Sequence, residues 1–135
     1  LPVFISDLAM AEQYAEVPPD QLNFLKQVWP GSFTIVLRQK TKEFPENLTG
    51  GRNTIGLRVP NRTFLIRLVR EINAPLVQSS ANLSGQPPAK NVDEVKKHFG
   101  DGENQIDLVI DGGDCDGKPS KVIDLSGTES AMLRE

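Results

Sequence analysis

The sequence is poor in the side chains that build most compact catalytic centres. It has one cysteine, Cys115, which excludes an internal disulfide framework, and one histidine, His98, and this pair alone cannot supply a Cys/His zinc site. A Ser-His-Asp triad would have to use His98, which falls on the outer side of a short lysine-rich helix, where a solvated surface histidine is the simpler reading. Dinucleotide G-x-G-x-x-G, Walker-type G-x-x-x-x-G-K-[ST], H-E-x-x-H and G-x-S-x-G patterns are all missing. No apolar run approaches the ~18 residues that span a bilayer, so no membrane partner is expected. The longest, Phe33 to Leu37, is strand-sized. There is no basic-then-apolar leader, which makes the cytoplasm the default compartment, although the chain starts at Leu1 rather than Met. Without a leader, the three N-x-Ser/Thr triplets at Asn47, Asn61 and Asn82 read as chance or as turns.

What is present fits one globular domain: 135 residues, 38% hydrophobic and 24% charged. The net charge is −3, but it is unevenly spread. Lys26 to Arg70 holds nine basic and two acidic residues, whereas Asn91 to Glu135 holds eleven acidic and five basic. A cationic middle suits an anionic ligand such as a nucleotide phosphate or RNA, and the acidic tail works against a polyanion covering the whole surface. Ordinary charge scatter on solvated faces fits the same counts equally well.

Strand and helix signals mix along the chain. Pro2 to Ile5 reads as a strand, and Asp7 as the N-cap of a helix to about Ala15. Pro18-Pro19-Asp20 starts a second helix with Leu22, Leu25, Val28 and Trp29 as its stripe, stopped by Pro30-Gly31. Phe33 to Leu37 is a buried strand, 40–53 a surface loop, and Thr54 to Val59 a strand ended by Pro60. Asn61 reads as the cap of a helix carrying Leu65, Leu68, Val69 and Ile72, and 75–78 as a strand. Asn91 caps a short helix to Phe99, and Leu108 to Ile110 and Val122 to Leu125 read as the last strands. This mixture predicts a single α/β domain over 1–135 with a mixed sheet.

Two stretches suggest a ligand on chemical grounds. In Thr54-Ile-Gly-Leu-Arg-Val59 the strand period puts Thr54, Gly56 and Arg58 on one face and Ile55, Leu57 and Val59 on the other. A hydroxyl and a guanidinium fork beside a bare glycine make a floor for an anion, while a half-buried strand with a solvent-facing arginine fits the same spacing. Ser79-Ser80-Ala81-Asn82-Leu83-Ser84-Gly85 follows a strand, where open α/β sheets bind ligands, although such side chains also satisfy their own turns. Around Cys115, Asp111-Gly-Gly-Asp-Cys-Asp-Gly117 lacks the distal Glu of a calcium loop and reads as a turn, with acidic surroundings that argue against a thiolate nucleophile. The residues alone therefore lead to an α/β domain with an anion or nucleotide cleft.

Six strings in order make the reading more specific. They are Trp29-Pro-Gly-x-Phe-Thr34, Thr54-Ile-Gly-Leu-Arg-Val-Pro60, Pro75-Leu-Val-x-Ser-Ser-Ala-Asn-Leu-Ser-Gly85, Asp107-Leu-Val-Ile-Asp-Gly-Gly113, Pro119-Ser-x-Val-Ile-Asp124 and Leu133-Arg134. In order and spacing they resemble the YrdC-like family of threonylcarbamoyl-AMP synthases. The resemblance implies a twisted mixed β-sheet with flanking helices and a concave basic cleft. It implies a nucleotidyl transfer in which L-threonine, bicarbonate and ATP, with Mg2+ accompanying the ATP, give threonylcarbamoyl-AMP and pyrophosphate. That is the first step of tRNA N6-threonylcarbamoyladenosine (t6A) modification, so tRNA or RNA contact and other proteins of that pathway are implied partners.

Carried over position by position, the resemblance makes Thr54, Asn82 and Arg134 ATP contacts, and Arg58, Ser80 and Ser120 contacts to the threonine side. The family's catalytic Lys-x-Arg element is absent, and Leu1 to Asp7 resembles the sequence just after it, so the expectation is a chain beginning partway through the domain. Pro-Ser-Lys121 replaces the usual Pro-Ser-Thr. A non-catalytic RNA-binding module using the basic 26–70 surface is the alternative from a different functional class.

Overall fold

The computed structural model describes residues 1–100, 106–115, 117–127 and 131–134. Two compact units are distinguished, one comprising Leu1–Gln78 and Pro119–Glu135, the other Ser79–Lys118. The first holds β1 (Val3–Phe4), α1 (Leu8–Tyr14), β2 (Ala15–Glu16), a 3-10 turn (Pro19–Gln21), α2 (Leu22–Val28), β3 (Phe33–Gln39) and α3 (Glu46–Thr49). It continues with β4 (Thr54–Arg58), α4 (Thr63–Ile72), β5 (Leu76–Val77), β6 (Lys121–Asp124) and β7 (Ala131–Arg134). The strands form one seven-stranded mixed sheet in the order β5-β1-β4-β3-β6-β7, with β2 on the C-terminal end of β3. β1–β4 and β3–β6 are parallel, while β1–β5, β3–β4 and β6–β7 are antiparallel.

Register explains how this sheet makes a core. Val3, Leu57, Ile35 and Ile123 are paired across four strands, so one row of branched apolar side chains crosses the sheet on a single face. Ile5, Leu37 and Ile55 extend that face, and Met10 and Ala11 of α1, Leu25 of α2 and Val69 of α4 complete the buried cluster. Each such aliphatic side chain contributes roughly 1.5–3 kcal/mol of burial. As the sequence predicts, Asp7 caps α1, its Oδ1 accepting from the Met10 N at 3.0 Å.

Some boundaries differ from the expectation. Inside the expected loop 40–53, α3 forms because Pro45 supplies an extended N-cap, Gly50 a left-handed C-cap at φ 66°, and Leu48 a buried anchor. Arg62 rather than Asn61 occupies the N-cap of α4, and it makes no side-chain capping bond. Short β2 and β7 were not anticipated.

The second unit holds α5 (Val92–Phe99), capped by Asn91, whose Oδ1 accepts from the Glu94 N at 3.0 Å. Glu94 in turn accepts from the Lys90 N at 2.9 Å, satisfying another free donor at the helix start. Leu108 to Ile110 is not a strand: it has no partner strand among the described residues and its side chains are exposed, Leu108 by 74%. Three apolar residues meet the local requirement for a strand but not the pairing that makes one. Among the described residues no helix is long and apolar enough to cross a membrane.

Candidate functional site

The face of the sheet opposite the apolar row carries a different chemistry. The alternation expected for 54–59 is found: Ile55, Leu57 and Val59 are buried in the core, while Thr54, Gly56 and Arg58 are half-buried on the other side. There they join Pro2, Thr34, Val36 and Val122 from neighbouring strands. A cleft of about 210 Å3 opens on this face, with Thr34, Thr54 and Gly56 among its lining. Gly56 is closely packed: a Cβ there would press to 3.1 Å from the Thr34 Cγ2 and reach ordinary contact, 3.5 Å, with the Pro2 Cβ.

Arg58 is held rather than free. Its Nε donates to the Gly31 carbonyl at 2.9 Å, and its guanidinium carbon lies 5.7 Å from the centre of the Phe4 ring. The Gly31 N donates to the Val59 carbonyl at 2.9 Å, so the turn after α2 and the end of β4 are tied in both directions. Only glycine fits at 31, because a Cβ would sit 2.3 Å from the Val28 carbonyl oxygen. Trp29 fixes the same turn by donating from Nε1 to the Phe33 carbonyl at 3.0 Å, and the Trp29–Pro30 peptide is cis. The Trp-Pro-Gly-x-Phe-Thr string thus has a job: it aims Arg58.

Burial lowers the pKa of Arg58, yet an arginine stays protonated at neutral pH. Among the described residues the only ion pair joins Asp7 to Arg70, at 3.6 Å, so Arg58 has no carboxylate partner. A partly desolvated cation offered only a carbonyl and a ring face is stabilised by an incoming anion.

Ser120 leads into β6 and is 4% exposed, and its Oγ shares a 2.8 Å hydrogen bond with the Oγ1 of Thr34, which is 2% exposed. This hydroxyl pair links Ser120 to the cleft floor beside Thr54 and Gly56. Thr34 was not singled out as a site residue in its own right. The available signal was a lone hydroxyl inside the apolar run Phe33 to Leu37, but its partner lies 86 residues away in sequence.

The remaining candidates fall elsewhere. Ser80 and Asn82 belong to the second unit, which is described by itself. There the Asn82 Nδ2 donates to the Leu83 and Gln86 carbonyls, both at 2.9 Å, and orders the Ser-Gly loop. The Asn82 Oδ1 is buried and has no partner among the described residues. Ser80 is exposed, its carbonyl accepting from the Asn82 N at 3.0 Å. Arg134 pairs with Val122 through β7, and its side chain lies outside the described residues. The first unit therefore groups Thr54, Arg58 and Ser120 on one sheet face.

A mixed sheet with helices packed on one face and, on the other, a hydroxyl-lined cleft and the half-buried Arg58 defines an α/β domain with a polar sheet face. Residues 1–135 match the model of the Sua5/YciO/YrdC family, described as telomere recombination, and the chain belongs to that family. It is 32% identical over 134 residues to the threonylcarbamoyl-AMP synthase of Pyrococcus abyssi, covering 98% of this chain and 38% of that protein. The structure of P. abyssi Sua5 complexed with L-threonine superposes with a TM-score of 0.86 at 31% identity, covering 98% of this chain and 39% of that one. Escherichia coli YciO gives a TM-score of 0.85 at 32% identity, covering 99% of this chain and 64% of that one. The chain thus spans about two fifths of the synthase and under two thirds of YciO. The mixed sheet and flanking helices implied by the sequence resemblance are those observed.

Proposed function

We propose that this chain carries the substrate cleft of a threonylcarbamoyl-AMP synthase, serving t6A modification of tRNA. The reaction condenses the amino group of L-threonine with bicarbonate, releasing water. A carbamate oxygen then attacks the α-phosphorus of ATP, and the bond from that phosphorus to the bridging oxygen breaks as pyrophosphate leaves with the electron pair. Such chemistry asks for placement of the reactants and stabilisation of negative charge more than for a strong general base. The cleft's arginine and hydroxyl donors suit that demand.

In this reading Arg58 holds the threonine carboxylate, with Ser80 and Ser120 on the same side of the substrate, and Thr54, Asn82 and Arg134 contact the nucleotide. Magnesium would be held chiefly by phosphate oxygens of the ATP. The donor set on the cleft face is cationic and hydroxylic, and no three described His, Cys, Asp or Glu residues converge into a separate metal cage. The observation that carries the reading is Arg58, half-buried without an anion and fixed by Gly31 and Phe4, in a chain similar to a protein solved with L-threonine.

Calorimetric titration of L-threonine tests it. Arg58→Gln should weaken binding at least about tenfold, because a charge-assisted hydrogen bond is lost, and Arg58→Lys should restore only part of that because it lacks the fork. Equal affinity in the wild type and Arg58→Gln would contradict the assignment. Titrating RNA tests the alternative: an RNA surface predicts affinity that falls steeply with salt and tolerates Asn82→Ala.

A further inference from the structure

The arginine among the residues lining the cleft is not Arg58 but Arg52. Arg52 lies two residues before β4 and lines the cleft with Thr49 and Thr54. Its backbone is not left to a free loop. Gln39, 8% exposed at the end of β3, donates from Nε2 to the Arg52 carbonyl at 2.8 Å and from its backbone N to the Asn53 carbonyl at 3.0 Å. Upstream, Gly50 and Gly51 have φ of 66° and 73°, the left-handed region that glycine takes readily, and bring the chain out of α3. Burying a glutamine to grip one main-chain carbonyl costs desolvation and side-chain entropy, which a freely varying surface loop does not require. The Arg52 side chain is exposed and has no carboxylate partner among the described residues.

We propose that Arg52, in the lining of the cleft, binds the phosphate chain of a nucleoside polyphosphate, with Arg58 further along the same face of β4. This rests on the reading that the cleft takes a nucleotide together with an amino acid. At the ordinary strand rise, the Cα atoms of Thr54 and Arg58 stand about 13 Å apart, and Arg52 lies beyond Thr54. A ligand reaching both arginines must carry an anionic group at each end. The two sites differ in kind. Arg58, half-buried between Phe4 and Gly31, suits a single carboxylate that gives up its water. Arg52, solvated and sharing the cleft lining with Thr49 and Thr54, suits a multiply charged phosphate chain that keeps part of its hydration.

The test titrates ATP and ADP with magnesium, and AMP, into the 135-residue chain, Arg52→Gln and Lys42→Gln. Lys42 is exposed and does not line the cleft, so its variant removes the same charge without touching the site. The expected result is a loss of about tenfold for ATP in Arg52→Gln, a smaller loss for ADP, AMP unchanged within about twofold, and no change for Lys42→Gln. Arg52→Gln and Lys42→Gln binding ATP equally would overturn this inference and leave the nucleotide reading standing. A loss equal for all three nucleotides would also overturn it, by placing Arg52 on the nucleoside. A folded wild-type chain that binds none of them would overturn both.

Discussion

At the residue scale, the site is a set of buried polar commitments made by few atoms. Gly31 gives its N to Val59 and its carbonyl to Arg58, so one residue fixes both the turn and the cation it aims. The buried Thr34–Ser120 hydroxyl pair does the same for the cleft floor. Thr34→Val keeps the shape and removes the hydroxyl, and it should cost about 1 kcal/mol of stability in urea unfolding, whereas Thr34→Ser should recover most of it. An unchanged midpoint in Thr34→Val would show that the pair is not a structural tie. These ties were only partly legible in the sequence. The facing of Thr54, Gly56 and Arg58 follows from the period of a strand, which is local. The bond from Arg58 to Gly31 spans 27 residues, and which carbonyl a side chain reaches is set by the fold and not by spacing.

At the element scale, the local signals that worked were those with their own hydrogen-bond logic. Asp7 and Asn91 cap α1 and α5 because each short side chain accepts from an amide three residues on. Asp7→Ala should therefore lower stability by about 1 kcal/mol, read as a shift in the urea midpoint. Loss of its exposed pairing with Arg70 should add little, so Arg70→Ala should leave the midpoint close to that of the wild type. A large effect of Arg70→Ala would mean that the ion pair and not the cap carries the contribution of Asp7. Signals failed where an element depends on distant partners. Leu108 to Ile110 has strand-forming residues and no partner strand, while Ala15–Glu16 forms β2 by pairing with Arg38 and Gln39 at the end of β3. α3 is four residues long and polar except for Leu48, too short to show a periodic stripe.

At the scale of the whole molecule, the first unit separates its two tasks onto two faces of one sheet. One face is a continuous apolar row packed against α1, α2 and α4, and the other bears the cleft. The second unit contributes the Ser-Gly loop ordered by Asn82. The synthase reading assigns Arg58, Ser80 and Ser120 to the threonine side of the substrate and Asn82 to the nucleotide. Calorimetric titration of ATP with magnesium, with and without L-threonine, into this chain and its Asn82→Ala variant tests that claim most directly. The account predicts ATP binding that is strengthened by L-threonine and lost in the variant. ATP binding by the folded chain that is indifferent both to L-threonine and to loss of the Asn82 side chain would contradict it.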